Sequence, residues 1–205
     1  PRGLADAFLV GRDFVGESPV CLTLGDNIFY GEGMVSLLQS CVSLREGAII
    51  FGYKVHDPER YGIVEFDEHE NVLSLEEKPK MPKSAWAIPG IYFYDNRVVK
   101  FAESLKPSAR GEIEITDLNK VYLEQKQLKV RLLGRGVAWL DAGTHESLLQ
   151  ASSFIQTIQE RQGLMISCPE EIAYQMGYIS KEQLHALGVA LSGNSYGEYL
   201  LSLIS

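Results

Sequence analysis

A chain of 205 residues with 45% apolar content is long enough for one large domain, or one domain with an appendage, around a packed core. Its 27 acidic against 19 basic residues leave a net charge of −8, which argues against nucleic acid or an anionic membrane as partner; an anionic ligand must be met by a few local cations. Cys21, Cys41 and Cys168 are odd in number and widely spaced, with no C-x-x-C, so they read as buried thiols of a reducing cytoplasm. No stretch has the apolar length of a signal peptide or a membrane span, and a cytoplasmic location is predicted.

The chain opens on Pro1, and no strand precedes the periodic Leu4, Ala7 and Phe8, so an N-terminal truncation is predicted. Residues 4–11 read as a short helix and 20–24 as a strand that stops at Gly25. Met34, Leu37, Leu38, Cys41 and Arg45 fall at helical spacing, with Gly47 as the expected C-cap. Residues 48–55 are apolar on both faces, the pattern of a central strand. Strands 61–66 and 72–77 flank a polar turn and make a hairpin. A strand over 87–94, helices over 97–104 and 116–125 and strands over 128–133 and 137–140 follow, with Thr116 as N-cap of the second helix. Beyond Gly143 the pattern is all-helical: a long helix carrying Leu148, Ala151, Ile155 and Ile158, then short helices over 170–177, 180–187 and 196–204. The expected architecture is an α/β core over 1–143 and a helical region over 144–205.

Two aspartates share one setting. Asp26 follows the strand end at Gly25, and Asp141 follows the apolar Val137-Ala138-Trp139-Leu140. Ligands of open α/β sheets sit at such strand ends, and two carboxylates there suit Mg²⁺, which keeps waters and takes one or two carboxylates plus phosphate oxygens. Asp26 has a plainer reading as a turn residue, and a phosphatase nucleophile or a ribose-binding acid also remains open for it. Lys78, at the end of a strand stopped by Pro79, and Arg110, in a loop beside Gly111, are candidate phosphate ligands; the plainer readings are a charged edge strand for Lys78 and, favoured when it is taken alone, a solvated loop charge for Arg110. Gly193-Asn194-Ser195-Tyr196-Gly197 matches a nucleophile elbow in letters only, because neither Asp nor His follows it. His56, His69, His145 and His185 lack zinc-ligand spacing.

In order along the chain, LGDNIFYG (24–31), DPERYGIVEF (57–66), LEEKP (75–79), ARGEIEITD (109–117) and AWLDAGTH (138–145) resemble the glucose-1-phosphate thymidylyltransferase family. The likeness extends into the tail through ERQGL (160–164) and CPEEI (168–172). The resemblance implies a Rossmann-like mixed sheet of the sugar nucleotidyltransferase fold, usually in a homotetramer. It implies a Mg²⁺-dependent enzyme that joins dTTP and α-D-glucose 1-phosphate into dTDP-glucose, the first step toward deoxysugars such as dTDP-L-rhamnose. Asp26 and Asp141 would hold the metal, and Gly3 would lie against thymine. Tyr61, Gly62, Glu77 and the backbone at Ile88 would line the glucose, with Asn27 and Trp139 counted among the substrate contacts. Lys78 and Arg110 would take the sugar phosphate.

Two departures stand against the family pattern. The glycine-rich G-G-x-G-T-R loop that cradles the triphosphate is absent, so the 205-residue chain alone is expected to be inactive and poorly stable. Pro89 and Ala142 stand where Thr or Val and Thr are expected. The rival readings are a related enzyme using UTP or another hexose 1-phosphate, and a non-catalytic remnant that binds sugar nucleotide.

Overall fold

The computed structural model describes residues 2–205, and the chain divides into two compact units, the first ending at Asp141 and the second beginning at Ala142. The first unit begins with a 3-10 turn and two single-turn helices, α1 (Ala7–Val10) and α2 (Arg12–Val15). Then come β1 (Val20–Thr23), β2 (Asn27–Gly31), α3 (Met34–Val42) and β3 (Ala48–Lys54). The hairpin is β4 (Gly62–Phe66) and β5 (Val72–Glu77), followed by β6 (Trp86–Ala87) and β7 (Ile91–Tyr94). Helices α4 (Val98–Ser104) and α5 (Ile115–Glu124) precede β8 (Leu128–Leu132) and β9 (Val137–Asp141).

Seven strands form a mixed sheet in the order β1-β7-β3-β6-β4-β5, and β8 joins the other side of β3 in parallel. The remaining pairings are antiparallel, and β2 and β9 form a separate two-stranded sheet. Side chains alternate across a strand, so β3 and β7 feed two cores. Ala48, Ile50, Tyr92 and Tyr94 face Phe8 of α1, Val98 and Ala102 of α4, and Leu118 and Tyr122 of α5. Ile49, Phe51, Ile91 and Phe93 face Met34 and Cys41 of α3. With helices on both faces, β3 must be apolar on both, as its sequence is. Aromatic edges join the first core: Phe8 meets Tyr94 at a centroid distance of 5.3 Å and an interplanar angle of 83°.

Three expectations are corrected, and one strand is added. Gly47 does not cap α3, which ends at Val42; it sits at φ 91 ahead of β3, where a Cβ would lie 2.4 Å from the Gln127 carbonyl oxygen. Thr116 lies inside α5, whose N-cap is Glu114, and its hydroxyl is used elsewhere. The expected strand over 87–94 is two strands, parted at Ile88-Pro89-Gly90, because Pro89 brings no N–H to a ladder. Residues 27–31, to which the sequence assigned no element, are β2.

The second unit is four helices: α6 (His145–Gln162), α7 (Pro169–Gln175), α8 (Lys181–Ala190) and α9 (Ser195–Ser202). Thr144 opens α6 and Ser180 opens α8 with capping boxes, and Asn194 caps α9. Cys168, Leu184, Leu200 and Ile204 form its core, pinned at the rim by Tyr196 donating to Glu170 and Tyr199 donating to Glu171. Among the described residues, no helix is long and apolar enough to cross a membrane.

Candidate active site

The two aspartates approach through the small sheet. The β2–β9 register sets Asn27 opposite Asp141, and Asp26 precedes that pair by one residue. Strand pairing across more than a hundred residues thus brings the two carboxylate-bearing strand ends together.

Asn27 is the joint of this corner. Its Oδ1 accepts the indole N–H of Trp139 at 2.8 Å and the backbone N–H of Gly90 at 2.9 Å. Its Nδ2 donates to Asp26 Oδ1 at 2.8 Å. An indole only donates, so the amide orientation follows from chemistry, and the nitrogen is left to face the aspartate. One side chain ties β9, the 88–90 break and Asp26 together.

Aromatic rings form the adjoining wall. Trp139 lies between Tyr61 and Tyr53, with ring centroids 5.0 and 5.5 Å away. Arg60 stacks over Tyr61, its Cζ 5.3 Å from the ring centre, and donates to Asp57 Oδ2 at 2.8 Å. Burial holds the Tyr61 phenol above its ordinary pKa, and the charges of Asp57 and Asp141 push the same way while Arg60 opposes them. The hydrogen bond to Asp57 raises Arg60, with a smaller contribution from Asp141. Asp141 therefore acts on this wall electrostatically.

A second cluster centres on Glu77, the register partner of Gly62 in the β4–β5 hairpin. The Thr116 hydroxyl donates to Glu77 Oε2, and Arg110 Nη1 lies 3.7 Å from Glu77 Oε1. Arg110 is also 3.5 Å from carboxylate oxygens of Glu112 and Glu114, so three acids surround one guanidinium. The Glu114 carboxylate in turn accepts from Ser108 at 2.9 Å. A Cβ on Gly62 would stand 3.2 Å from Thr116 Oγ1, 3.3 Å from Glu77 Oε2 and 3.9 Å from Ile88 Cδ1. The Ile88 N–H donates to the Gly62 carbonyl at 2.7 Å, fixing the backbone of the break against β4.

The structure thus brings together Asp26, Asn27, Tyr61, Trp139 and Asp141 in one corner, and Gly62, Glu77, Ile88 and Arg110 in another. The peptides 61–62 and 88–90 connect the two. Lys78 takes a left-handed backbone (φ 42) with its N–H on the Tyr61 carbonyl, but its side chain is exposed and forms no ion pair among the described residues. Gly3 lies against Ile113, where a Cβ would come within 2.5 Å of the carbonyl oxygen; flanking bonds from Ile113 N to Arg2 O and from Ala5 N to Ile113 O lock it there. Thr116 and Arg60 are residues of this site that the sequence reading passed over. Thr116 was hidden by its suitability as a cap, and Arg60 stood unremarked inside the 57–66 motif.

Among the described residues, no group of three or more His, Cys, Asp or Glu side chains forms a metal cage. A pair of carboxylates at strand ends is nevertheless the donor set that fits a Mg²⁺ completed by water and phosphate oxygens.

Comparison with known proteins gives a consistent result. The profile of the family described as nucleotidyl transferase matches residues 1–158. A glucose-1-phosphate thymidylyltransferase of Neisseria gonorrhoeae is 55% identical over 100% of this chain and 71% of its own length. One from Mycobacterium tuberculosis is 53% identical over 100% of this chain and 70% of its own length. A crystal structure ascribed to a glucose-1-phosphate thymidylyltransferase of Bacillus anthracis, in complex with sucrose, superposes with a TM-score of 0.66 at 41% identity, covering 74% of this chain and 60% of that one. An apo UDP-glucose pyrophosphorylase, 22% identical with a TM-score of 0.67 over 78% of this chain and 62% of its own, shares the fold. The chain therefore spans about 70% of the length of these curated relatives and less of the solved ones.

Proposed function

Since the chain belongs to the nucleotidyl transferase family and, within it, to the glucose-1-phosphate thymidylyltransferases, we propose that it serves the Mg²⁺-dependent transfer of a thymidylyl group from dTTP to α-D-glucose 1-phosphate, giving dTDP-glucose and pyrophosphate. In this reading an oxygen of the sugar phosphate forms a bond to the α-phosphorus as the bond to pyrophosphate breaks. No protein nucleophile is needed; alignment and neutralisation of like-charged reactants carry the rate.

The observation that supports it best is the convergence of Gly62, Glu77, Thr116 and Ile88 beside the Asp26–Asp141 corner. Glu77, held by Thr116 and flanked by Arg110, is an acceptor for glucose hydroxyls, and the bare Cα of Gly62 leaves room for the ring. Tyr61 and Trp139 wall the sugar. Arg110 exchanges one of its glutamate partners for the sugar phosphate, joined by the mobile charge of Lys78. Gly3 lies against the thymine. Asp26 and Asp141 hold Mg²⁺, which when bound neutralises phosphate charge. Asn27 keeps Asp26 in place. We further propose a cytoplasmic homotetramer acting at the first step of dTDP-deoxysugar synthesis, such as that of dTDP-L-rhamnose.

Calorimetric titration with glucose 1-phosphate in Mg²⁺ tests the reading. Saturable binding that is weakened by Glu77→Gln and by Arg110→Ala supports it. Binding indifferent to both variants overturns it.

A further inference from the structure

A second concavity in the first unit, of about 470 Å³, opens between the turn of the β4–β5 hairpin and β8, and no residue of the candidate active site lines it. Its cations are Lys126, Lys129 and Arg131, with His69 on the rim, and Glu70 is the one carboxylate in its lining. None of the three basic side chains has an ion-pair partner among the described residues. In a chain of net charge −8, three uncompensated cations around one hollow form a local field of the opposite sign to the protein. The hollow is not made by one helix end or one loop: it combines the end of α5, a strand and a hairpin turn.

Backbone donors add to it. β8 pairs only with β3, so its other side is a free edge, and β5 is the last strand at the far end of the sheet order. Leu133 N–H donates to the Gly52 carbonyl and the Gln127 carbonyl accepts from Ala48, so odd-numbered peptide groups of β8 face β3. Leu128 and Val130, of opposite parity, turn their N–H groups toward the free edge, into the concavity they line. Lys129 and Arg131 stand two residues apart, about 7 Å along the strand, and flank that edge. Val72 and Leu123 supply an apolar wall beside the charges.

We propose that this concavity binds a diphosphate group, carried either by free pyrophosphate or by a nucleoside diphosphate. Lys129 and Arg131 take one phosphoryl group each, Lys126 closes the end, and the outward N–H groups of β8 complete the shell as charge-assisted donors. The volume exceeds what pyrophosphate alone fills, and the wall at Val72 and Leu123 offers a nucleoside an apolar seat. The assignment is independent of the reading of the Asp26–Asp141 site.

Titration calorimetry of the chain with pyrophosphate and, separately, with dTDP tests it, using Lys129→Ala, Arg131→Ala and the charge-reversed double variant Lys129→Glu/Arg131→Glu. Saturable binding is expected. It should weaken about tenfold for each alanine, equivalent to about 1.4 kcal/mol, weaken further in the double variant, and fall with added salt. It should not change in Lys106→Ala, which removes an exposed cation outside both sites. Binding of both probes at similar strength identifies the diphosphate itself as the ligand; tighter dTDP binding adds the nucleoside, and either outcome supports the site. Absence of saturable binding, binding unchanged in the Lys129→Ala and Arg131→Ala variants, or binding lost equally with Lys106→Ala overturns it. The alanine side chains are exposed and leave the β3–β8 ladder intact, and thermal melts matching the parent confirm that loss of binding is not loss of fold.

Discussion

Asn27 and Trp139 sit diagonally across the β2–β9 ladder, and the indole N–H of one rests on the amide oxygen of the other at 2.8 Å. That amide oxygen serves two donors from two distant segments, so removing it leaves the indole and the Gly90 N–H without an acceptor. Asn27→Ala is expected to cost about 1–3 kcal/mol in urea denaturation. It should also shift the Trp139 contribution to fluorescence, read in a Trp86→Phe background. Unchanged emission would show that the bond does not hold the ring.

Gly62→Ala places a methyl group against Thr116, Glu77 and Ile88 at 3.2 to 3.9 Å. The neighbours must give by a few tenths of an ångström, so stability should fall by about 1 kcal/mol. Glucose 1-phosphate affinity should drop much more than that loss would suggest, since the methyl occupies the space assigned to the ring. Parallel calorimetry and thermal melts separate the two effects.

Asp95 is buried, and burial alone would raise its pKa. Hydrogen bonds from Arg97, the Gly47 N–H and the Tyr122 hydroxyl win, and the carboxyl is held below its ordinary value. A depressed folded-state pKa stabilises the fold above the unfolded value of about 3.9, and the benefit is lost as pH falls through the folded value. Asp95→Asn should therefore lower stability at neutral pH by about 2–3 kcal/mol and flatten the acid limb of the stability profile. Denaturation midpoints across the acid range check the sign.

Cys41 and Cys168 are buried as expected but Cys21 is exposed on β1, where desolvation by its surroundings, with Cys41 nearby, pushes its thiol up to about 11. At about pH 8 roughly a thousandth of it is thiolate, against about a quarter of an unperturbed thiol. Iodoacetamide should label Cys21 slowly at that pH, and the rate should keep climbing toward pH ~11. Peptide mass spectrometry with a model thiol as reference supplies the comparison.

The helices of the second unit and the hairpin were legible because their signals are local: periodic apolar residues, Thr144 and Ser180 before them, a polar turn between alternating strands. β2 was not legible. Its residues Ile28, Phe29 and Tyr30 follow directly on a turn, and what makes them a strand is β9, far away in the chain. The break at Pro89 was foreshadowed by the proline itself, although the apolar run on either side reads as one strand. The encounter of Glu77 with Thr116 belongs to the same class as β2. Each residue has a sufficient local explanation, and only the packing of α5 against the hairpin brings them together.

β3 is the one strand shared by both wings of the sheet: its first half pairs with β7 and β8, and Tyr53 and Lys54 pair with β6. It works as a keel. The amides of Ile49, Ile50 and Phe51 cannot reach solvent unless both helical layers lift, so their exchange reports whole-domain opening. The peptides around Asn27 and Gly90 lie outside that frame, held by the Leu24 N–H on the Gly90 carbonyl, the Asn27 N–H on the Leu24 carbonyl and the Asn27 side chain, and can open without it. The corner around Asn27 can therefore breathe on a schedule of its own while the frame that carries it stays shut.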